Sequence, residues 1–488
     1  MRTLGIFGNI QSIYKEARKY KGGDFCMVPP SPELREKIKA EIEHLRSTSD
    51  PLLGSMLRVK PKVPIGMNDG VIYPGDTFPI GTAPQVIQEA AANRAPLRGL
   101  TRIVVVLVEF SDKALTFPQQ HYQDLFFSEG VLANGSVKEY FDEVTHGLVE
   151  IAGEVVGPYT LPLSLTEYAH GASGTGAIQP NARTMAKHAA EAANPEVDFS
   201  IYDNNQDNYV DAFIVLHAGK GAEVTGSVND IWSHKWVLPG GDFNADGTRI
   251  YAYLTVPEDA KIGVCCHELG HLLFGFPDLY DTDYSSEGVG NWCIMGGGSW
   301  LGGGEVPAHF SAWCKLQQGW VASETPLNVT NFQIPDVKTD QKVYKLWKNG
   351  SAGNEYFLLE NRQKTGYDRF LPGSGLLIWH VDDSISANTN EIHPKVALIQ
   401  SDGDTDLEFG NNRGDSGDPY PGSSNNRNFD EGSSPNSNTY NKLDSCVRVR
   451  NISDSDSVMT ADIFCQSAET PKLSWWQKFI KWLKNIFG

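Results

Sequence analysis

The stretch His267-Glu268-Leu269-Gly270-His271 decides how the rest of this chain is interpreted. Residues four positions apart lie on the same face of a helix, so the imidazoles of His267 and His271 can reach one metal ion. Glu268 can hold a water molecule beside that metal without being a ligand itself. Gly275 and Pro277 then end the helix. The pattern predicts a zinc-binding helix, and the alternative is an ordinary buried helix with two structural histidines.

Asp278 is the predicted third ligand of the metal. It follows Gly275 by three residues, and a carboxylate oxygen is a competent zinc ligand. Metzincin peptidases continue their zinc motif in a similar way, through a helix-ending glycine with the third ligand three residues later. Here Phe274 adds one residue before the glycine. Asp281 and Glu287 therefore remain alternatives, and Glu287 would suit a thermolysin-like arrangement.

A methionine precedes a glycine-rich turn downstream of this helix, in Cys293-Ile294-Met295-Gly296-Gly297-Gly298. The position resembles the metzincin Met-turn, which forms a hydrophobic floor beneath the metal. A single methionine more often fills a hydrophobic core. Its place after the zinc motif favours the Met-turn, with Met295 under the metal site.

Several runs of sequence together resemble the immune inhibitor A family of secreted metallopeptidases: 267–284, 288–295, 307–309, 203–217, 231–236 and, more loosely, 373–380. The resemblance covers about residues 60–465. It implies a zinc-dependent endopeptidase that is made as a zymogen and often carries calcium. A secreted or cell-surface location is also implied, although the first ten residues show no clear signal peptide.

Length, charge and cysteine content bound the class of protein. The chain has 488 residues and a formal net charge of −19, so two or three domains are expected and nucleic acid is not an expected partner. No run approaches the roughly 18 apolar residues of a membrane span. Among the seven cysteines, Cys265 and Cys266 are expected to be buried on the zinc helix, and Cys446 and Cys465 could pair.

Four regions are predicted. Residues 1–95 form a pro-segment, 96–322 an α/β metzincin-like zinc peptidase domain, 323–466 a β-rich accessory domain and 467–488 an amphipathic helix. The buried strand 101–110, followed by alternating strands and helices, indicates the α/β domain. After Trp320 the hydrophobic period changes to two, which indicates strands.

Two short pieces of the pro-segment could silence a zinc site. Cys26-Met27-Val28-Pro29 resembles the cysteine switch of matrixins, in which a thiolate takes the open position on the metal. Tyr73-Pro74-Gly75-Asp76 resembles the aspartate switch of astacins. Cys26 and Asp76 are therefore candidate latency residues, and the alternatives are a buried cysteine and a simple turn.

A calcium site is predicted between 203 and 211, where oxygen ligands are spaced as in an EF-hand loop. The ligands would be Asp203, Asn205, Asp207, the carbonyl of Tyr209, and Asp211. The alternative is a turn rich in Asx residues, because no glutamate closes the loop. His217 and His234 follow this loop and could line the cleft, but a structural role is expected for both.

The C-terminal stretch 474–487 is strongly amphipathic when it is drawn as a helix. Its aromatic and aliphatic side chains fall on one side, and Lys478, Lys481 and Lys484 fall on the other. This pattern is typical of a helix that lies at an anionic membrane surface. The alternative is a helix that docks on its own protein.

The sequence as a whole predicts a zinc-dependent endopeptidase acting on protein or peptide substrates. His267, His271 and Asp278 would hold Zn²⁺, Ca²⁺ would be a second ion, and Glu268 would be the general base. A membrane-binding or adhesive protein on an inactive peptidase scaffold is the alternative. A dead scaffold would be expected to lose Glu268 or a histidine, and none is lost. A membrane-lytic effector acting through the tail is a third option.

Overall fold

The computed structural model describes residues 25–47 and 94–466 except Ala352, together with Ile6 and a few positions between Phe78 and Ala90. Asp76 and the amphipathic stretch 474–487 lie outside the described residues. The strands within the described part are β1 Cys26–Met27, β2 Gly99–Glu109, β3 Val149–Thr160, β4 Phe213–His217, β5 His234–Val237, β6 Phe243–Ala245, β7 Thr248–Ile250, β8 Ala252–Pro257, β9 Ala322–Glu324, β10 Val329–Pro335, β11 Lys342–Leu346, β12 Glu355–Arg362, β13 Gly375–Asp382, β14 Val396–Leu398, β15 Arg448–Arg450 and β16 Val458–Phe464.

The α-helices with described bounds are α1 Pro32–Ser47, α2 Gln119–Phe127, α3 Val137–Thr145, α4 Leu165–Ala169, α5 Ala182–Ala193, α6 Ala222–Thr225, α7 Ile262–Phe274, α8 Ala312–Gln317, α9 Val337–Asp340 and α10 Asp406–Phe409. Helix α7 carries the zinc motif. None of the described helices is both long enough and apolar enough to span a lipid bilayer.

The first sheet contains six strands in the order β1-β5-β8-β4-β2-β3. Strands β3, β2, β4 and β8 run parallel to one another, whereas β5 is antiparallel to β8 and β1 is antiparallel to β5. Parallel neighbours need crossover connections, which often contain helices. The fold of this region is a mixed α/β fold, in agreement with the predicted class.

Strand β2 explains why the chain folds around this sheet. Alternate residues of its apolar run face two different hydrophobic cores, because successive side chains of a strand point to opposite faces. Ile103 and Val105 face the core that contains helix α7, and Val104 and Val106 face a second core behind the sheet. The run is uninterrupted because both faces are covered.

The chain from Ala322 onward forms two further sheets, with the orders β14-β13-β12-β11-β9 and β10-β16-β15. Phe357 and Leu359 of β12 face the core between these two sheets. Tyr356 and Leu358 face the core that contains α7. The β-rich region is therefore packed directly on the α/β region, and its first strand begins one residue before the predicted boundary.

Four charged side chains meet where these regions pack, and we call them the junction cluster: Lys315, Glu360, Arg362 and Asp368. All four are fully buried. Arg362 donates from Nε and Nη2 to the two oxygens of Asp368 at 2.7 and 2.5 Å, and its Nη1 lies 3.2 Å from Glu360. Lys315 lies 3.6 Å from Glu360. Two positive charges thus balance two negative charges inside the core.

Residues 25–47, which belong to the predicted pro-segment, lie against the peptidase region. Strand β1 extends the sheet beyond β5, and α1 follows it across the surface of the core. Leu34, Ile38 and Ile42 of α1 are buried in that core, since residues four apart share one face of a helix. This part of the pro-segment is thus an integral part of the folded chain.

All seven cysteines are buried thiols outside any disulfide. The pairing considered for Cys446 and Cys465 is therefore not formed. Burial raises the pKa of Cys265 and Cys266 on helix α7, and a buried thiol with a raised pKa is chemically inert.

Candidate active site

Helix α7 directs two histidines toward one point. His267 and His271 are fully buried, and their Nε2 atoms lie 3.1 Å apart. The extra residue Phe274 is simply the last residue of the helix, and Gly275 follows with φ 68°. That left-handed conformation favours glycine and turns the chain back toward the histidines.

Asp278 lies at the end of this reversal, beside both imidazoles. Its Oδ1 is 3.2 Å from Nε2 of His267 and 3.1 Å from Nε2 of His271. Zinc bonds to nitrogen and oxygen are about 2.0–2.1 Å, so the ligand atoms of a tetrahedral site lie about 3.3 Å apart. The three atoms fit a single zinc ion and leave a fourth position open.

The opposite ring nitrogens hold the imidazoles in this orientation. Nδ1 of His267 lies 2.8 Å from the Ile294 carbonyl, and Nδ1 of His271 lies 2.5 Å from the Phe276 carbonyl. A carbonyl accepts from Nδ1–H and leaves Nε2 as the lone-pair donor for a metal. Burial also lowers the pKa of His271, which favours the neutral form that metals require.

Glu268 extends from the same helix and is fully buried. Among the described residues, neither of its carboxylate oxygens has a hydrogen-bond partner. The Val28 amide, which lies close enough to oppose the rise in the pKa of Glu268, donates to the Ser233 carbonyl at 3.3 Å. Burial, then the carboxylates of Asp278 and Glu223, raises the pKa of Glu268 well above its ordinary value. A buried carboxylate without partners is costly, and a cation beside Asp278 would offset that cost.

Met295 packs directly against helix α7. A Cβ atom placed on Gly270, between the two histidines in sequence, would lie 2.7 Å from the Met295 sulfur. The residues around Met295 also fix the site, since its carbonyl accepts from Leu279 at 2.8 Å. Met295 thus lies against the helix between the two histidines, and its role as a Met-turn stays a prediction.

Cys26 lies beside the metal centre although it is more than 240 positions away in sequence. Its sulfur and the ligand atoms of His271 and Asp278 all lie within 4.8 Å of one another. Strand β1 brings it there by pairing with β5, where Cys26 faces Lys235 and Met27 faces His234. The cysteine of the predicted switch is therefore next to the predicted zinc ligands.

The two alternatives to Asp278 make other contacts. Asp281 accepts hydrogen bonds from Ser285 Oγ at 2.9 Å and from the amide of Ser286 at 2.9 Å. Glu287 forms an ion pair of 2.8 Å with Arg35 of helix α1. Neither contact is to the histidines, so the geometry favours Asp278 as the third ligand.

The predicted calcium loop folds mainly around its own amides. Asp203 accepts from the amides of Asp207 and Asn208 at 3.0 and 2.9 Å, and Asn205 accepts from Asp207 at 3.1 Å. Asp211 pairs with Arg94 at 3.3 Å. These bonds are those of an Asx-rich turn, and calcium binding at this loop stays a prediction.

Acidic side chains lie close together at two other places among the described residues: Asp281, Asp283 and Glu391, and Asp402, Asp415 and Asp418. Burial, then Asp283, raises the pKa of Asp281 to about 7. Burial also raises the pKa of Asp418 to about 7, although the indole of Trp292 opposes the rise. The sequence predicts Asp281 only as an alternative zinc ligand, and it predicts residues 402–439 as a long loop that could order around cations.

His217 and His234 are both buried. Nδ1 of His217 lies 2.9 Å from the Ala218 carbonyl, and Nε2 of His234 lies 2.8 Å from the hydroxyl of Tyr253. Burial lowers the pKa of each to about 4. Both are neutral structural residues in this arrangement, as expected.

Three aromatic side chains near the metal centre were given no functional role from the sequence: Trp232, Tyr280 and Trp300. Each donates a hydrogen bond to a main-chain carbonyl of residues 27–29. Their positions, just before β5, two residues after Asp278 and shortly after Met295, were the only signal in the sequence that could have drawn attention to them.

Residues 99–321 match the model of the immune inhibitor A peptidase M6 catalytic domain. The pre-pro-metalloprotease PrtV of Vibrio cholerae serotype O1 is 32% identical over 274 aligned residues, which cover 45% of this chain and 30% of that protein. Immune inhibitor A of Bacillus thuringiensis subsp. alesti is 30% identical over 263 aligned residues, which cover 43% of this chain and 38% of that protein. The alignments thus span well under half of each relative's length.

The matched residues contain helix α7, Asp278 and Met295, on which the family prediction depends. That prediction is confirmed. Residues 99–321 are thus similar to the catalytic domain of the immune inhibitor A family of peptidases.

Proposed function

We propose that the protein is a zinc endopeptidase of the metzincin type. The observation that carries the proposal is the meeting of three ligand atoms, from His267, His271 and Asp278, within 3.1–3.2 Å of one another. Beside them lies Glu268, a buried carboxylate without a hydrogen-bond partner. The alternative is a membrane-binding or adhesive protein on an inactive scaffold, which would be expected to lose Glu268 or a histidine, and none of these is lost.

The reaction follows from what these side chains can do. Zinc held by the two histidines and Asp278 would supply an acidified water and polarise the scissile carbonyl. Glu268 takes the proton of the attacking water and returns it to the leaving amine. The carbonyls at Ile294 and Phe276 keep the imidazoles in register during both steps. Proteins and peptides are the proposed substrates.

Metal analysis combined with casein hydrolysis tests this function. Purified full-length protein should contain about one zinc ion at this site, and a chelator should stop casein hydrolysis until zinc is added back. The same assay should be run on Cys26→Ala, in which the thiol cannot compete for the metal. Undiminished hydrolysis after complete removal of zinc would contradict the proposal.

We also propose that the Cys26 thiolate takes the open position on the metal while the segment 25–47 is in place. The proposal is supported by the distance from Cys26 to His271 and Asp278 and by the burial of the segment in the same core as α7. Cobalt-substituted protein should then show a thiolate-to-cobalt charge-transfer band, and Cys26→Ala should lack it. An identical spectrum in the two proteins would remove Cys26 from the metal.

The proposed location is outside the cell or at its surface, on the strength of the family alone. We retain the sequence-based proposal that residues 474–487 bind anionic membranes, with each lysine contributing about 1 kcal/mol. Full-length protein should sediment with anionic liposomes, and a chain lacking residues 470–488 should not. If the shortened chain instead aggregates or unfolds, the stretch is a docked helix.

A further inference from the structure

Residues 27–29 are held by an unusual set of contacts, in which three consecutive main-chain carbonyls each accept a hydrogen bond from a different aromatic side chain. Tyr280 Oη donates to Met27 O at 2.9 Å. The indole of Trp232 donates to Val28 O at 2.9 Å, and the indole of Trp300 donates to Pro29 O at 2.8 Å. We call Trp232, Tyr280 and Trp300 the aromatic donors.

The aromatic donors contact only the main chain through these bonds. A carbonyl oxygen is present in every residue, so such contacts hold an extended chain whatever its side chains are. The strand pairing of the segment with β5 ends at Met27, the Val28 amide adds one bond to the Ser233 carbonyl, and Pro29 and Pro30 carry no amide hydrogen. The donors therefore hold the segment by its carbonyls just where the strand ladder stops.

The same elements fix the donors and the metal centre. Tyr280 lies two residues after Asp278, and Trp232 lies two residues before β5. Trp300 belongs to the turn that follows Met295 and packs against helix α7, where a Cβ atom on Gly263 would lie 1.9 Å from the Ser299 carbonyl. The same structural elements therefore hold the aromatic donors and the predicted zinc ligands in place.

We propose that the aromatic donors bind the main-chain carbonyls of an extended substrate, and that residues 26–29 occupy this substrate cleft in the intact chain. The proposal rests on the proposed peptidase function. The cleft it defines begins at the predicted zinc ligands, beside which Cys26 lies, follows the edge of β5 and ends at Trp300. Recognition of carbonyls alone predicts that unfolded proteins of diverse sequence are substrates.

The test must separate contacts used by the segment alone from contacts shared with a substrate. Arg35 supplies the first kind, since it lies on α1 and pairs with Glu287 at 2.8 Å. Tyr280→Phe supplies the second kind, because it removes one hydroxyl and keeps the ring. Trp300→Phe is a second donor variant in case Tyr280→Phe does not fold, and thermal unfolding checks each protein.

Two measurements on full-length, zinc-loaded protein are compared. The first is the rate at which iodoacetamide alkylates Cys26, followed by mass spectrometry, because this thiol reacts only when the segment leaves. Tyr280→Phe removes one hydrogen bond to the segment and should raise that alkylation rate about three- to tenfold. Arg35→Met should raise it to a similar extent. The second is kcat/KM for casein, which Arg35→Met should raise.

The decisive comparison adds Tyr280→Phe to the Arg35→Met chain. We expect kcat/KM to fall about three- to tenfold, mainly through a higher KM, while Cys26 alkylation stays fast. A donor that binds both the segment and the substrate should, when it is removed, lower kcat/KM while Cys26 stays accessible to iodoacetamide. If kcat/KM is unchanged or rises further, the donors hold only the segment and the proposal is overturned.

Peptide binding keeps this test independent of turnover. The probe is a fluorescent peptide with the sequence of residues 25–31 and serine in place of Cys26, and the protein carries Arg35→Met and Glu268→Gln. Tyr280→Phe should weaken binding about three- to tenfold, and an unchanged Kd would overturn the proposal. Weakened binding together with absent hydrolysis in all Glu268-containing chains would instead reject the peptidase function and keep the cleft.

Discussion

The metal centre and the junction cluster both bury ionisable side chains completely, but they balance charge in opposite ways. In the junction cluster, Arg362 and Lys315 neutralise Asp368 and Glu360. In the metal centre, Asp278 and Glu268 lie beside two imidazoles, burial lowers the pKa of His271, and Glu268 has no hydrogen-bond partner among the described residues. Buried charges that balance one another need no added ion, whereas buried carboxylates without a positive side chain beside them indicate a place for a cation.

Substitution of Glu268 should give the largest effect and should break catalysis without breaking the metal centre. Glu268→Ala removes the proposed base, and loss of a general base costs about 10²–10⁴-fold in rate. Zinc content measured by mass spectrometry should be unchanged, since Glu268 is not a ligand. Substantial casein hydrolysis by this variant would exclude Glu268 as the base.

Substitution of Asp278 should empty the metal centre. Asp278→Ala removes a direct ligand, so zinc affinity should fall by more than the roughly 10–100-fold that a supporting hydrogen-bond partner costs. Asp281→Ala and Glu287→Ala are the matched controls and should keep their zinc in equilibrium dialysis. Loss of zinc in Glu287→Ala, with retention in Asp278→Ala, would show that the site is not of the metzincin kind.

A substitution in the junction cluster should lower the unfolding free energy without changing zinc binding. Arg362→Met leaves Asp368 and Glu360 buried without their guanidinium, which should cost about 3–5 kcal/mol of unfolding free energy. Denaturant titration measures that loss, and zinc binding by the folded fraction should be unchanged. A variant that unfolds normally but loses zinc would show that the two groups of charges are coupled.

The smallest predicted effect concerns acid. Burial works to raise the pKa of Asp368, yet Arg362, then His309 and Lys338, hold it far below its ordinary range. A carboxylate with a lowered folded-state pKa contributes stability above its unfolded pKa of about 3.9, and this contribution is lost as pH falls. Between pH 5 and pH 3 the parent should lose about 1 kcal/mol more unfolding free energy than Asp368→Asn, as measured by urea titration. Parallel curves for the two proteins would contradict the assignment.

The metal centre was predictable because its information is local. His267, Glu268, His271 and Asp278 lie within twelve positions, and helix geometry together with one glycine sets where they point. The extra residue Phe274 could not be resolved from the sequence, because an α-helix can end one residue later without any change in composition. The structure shows that the helix absorbs it.

The aromatic donors were not predictable, because their partners are distant in sequence, and in the junction cluster the pairing of Lys315 with Glu360 is also between distant positions. Trp232 is 204 positions from Val28, and Tyr280 is 253 positions from Met27. Hydrophobic periodicity places such rings in a core but does not show which carbonyl an N–H or O–H will reach. Calcium binding at residues 203–211 could not be predicted firmly for a different reason, since the same spacing of Asp and Asn occurs in EF-hand loops and in Asx turns.

The pairing of β1 with β5 also bears on how the protein avoids aggregation. Strand edges with unpaired amides and carbonyls template association with other chains, and proteins cover such edges. In the intact chain two residues of β1 cover β5, so the cleft edge that would accept a substrate strand is not offered to neighbouring molecules. A form of the protein without this segment would expose that short edge of β5. The intact protein should therefore remain soluble at higher concentration than a form that lacks the segment.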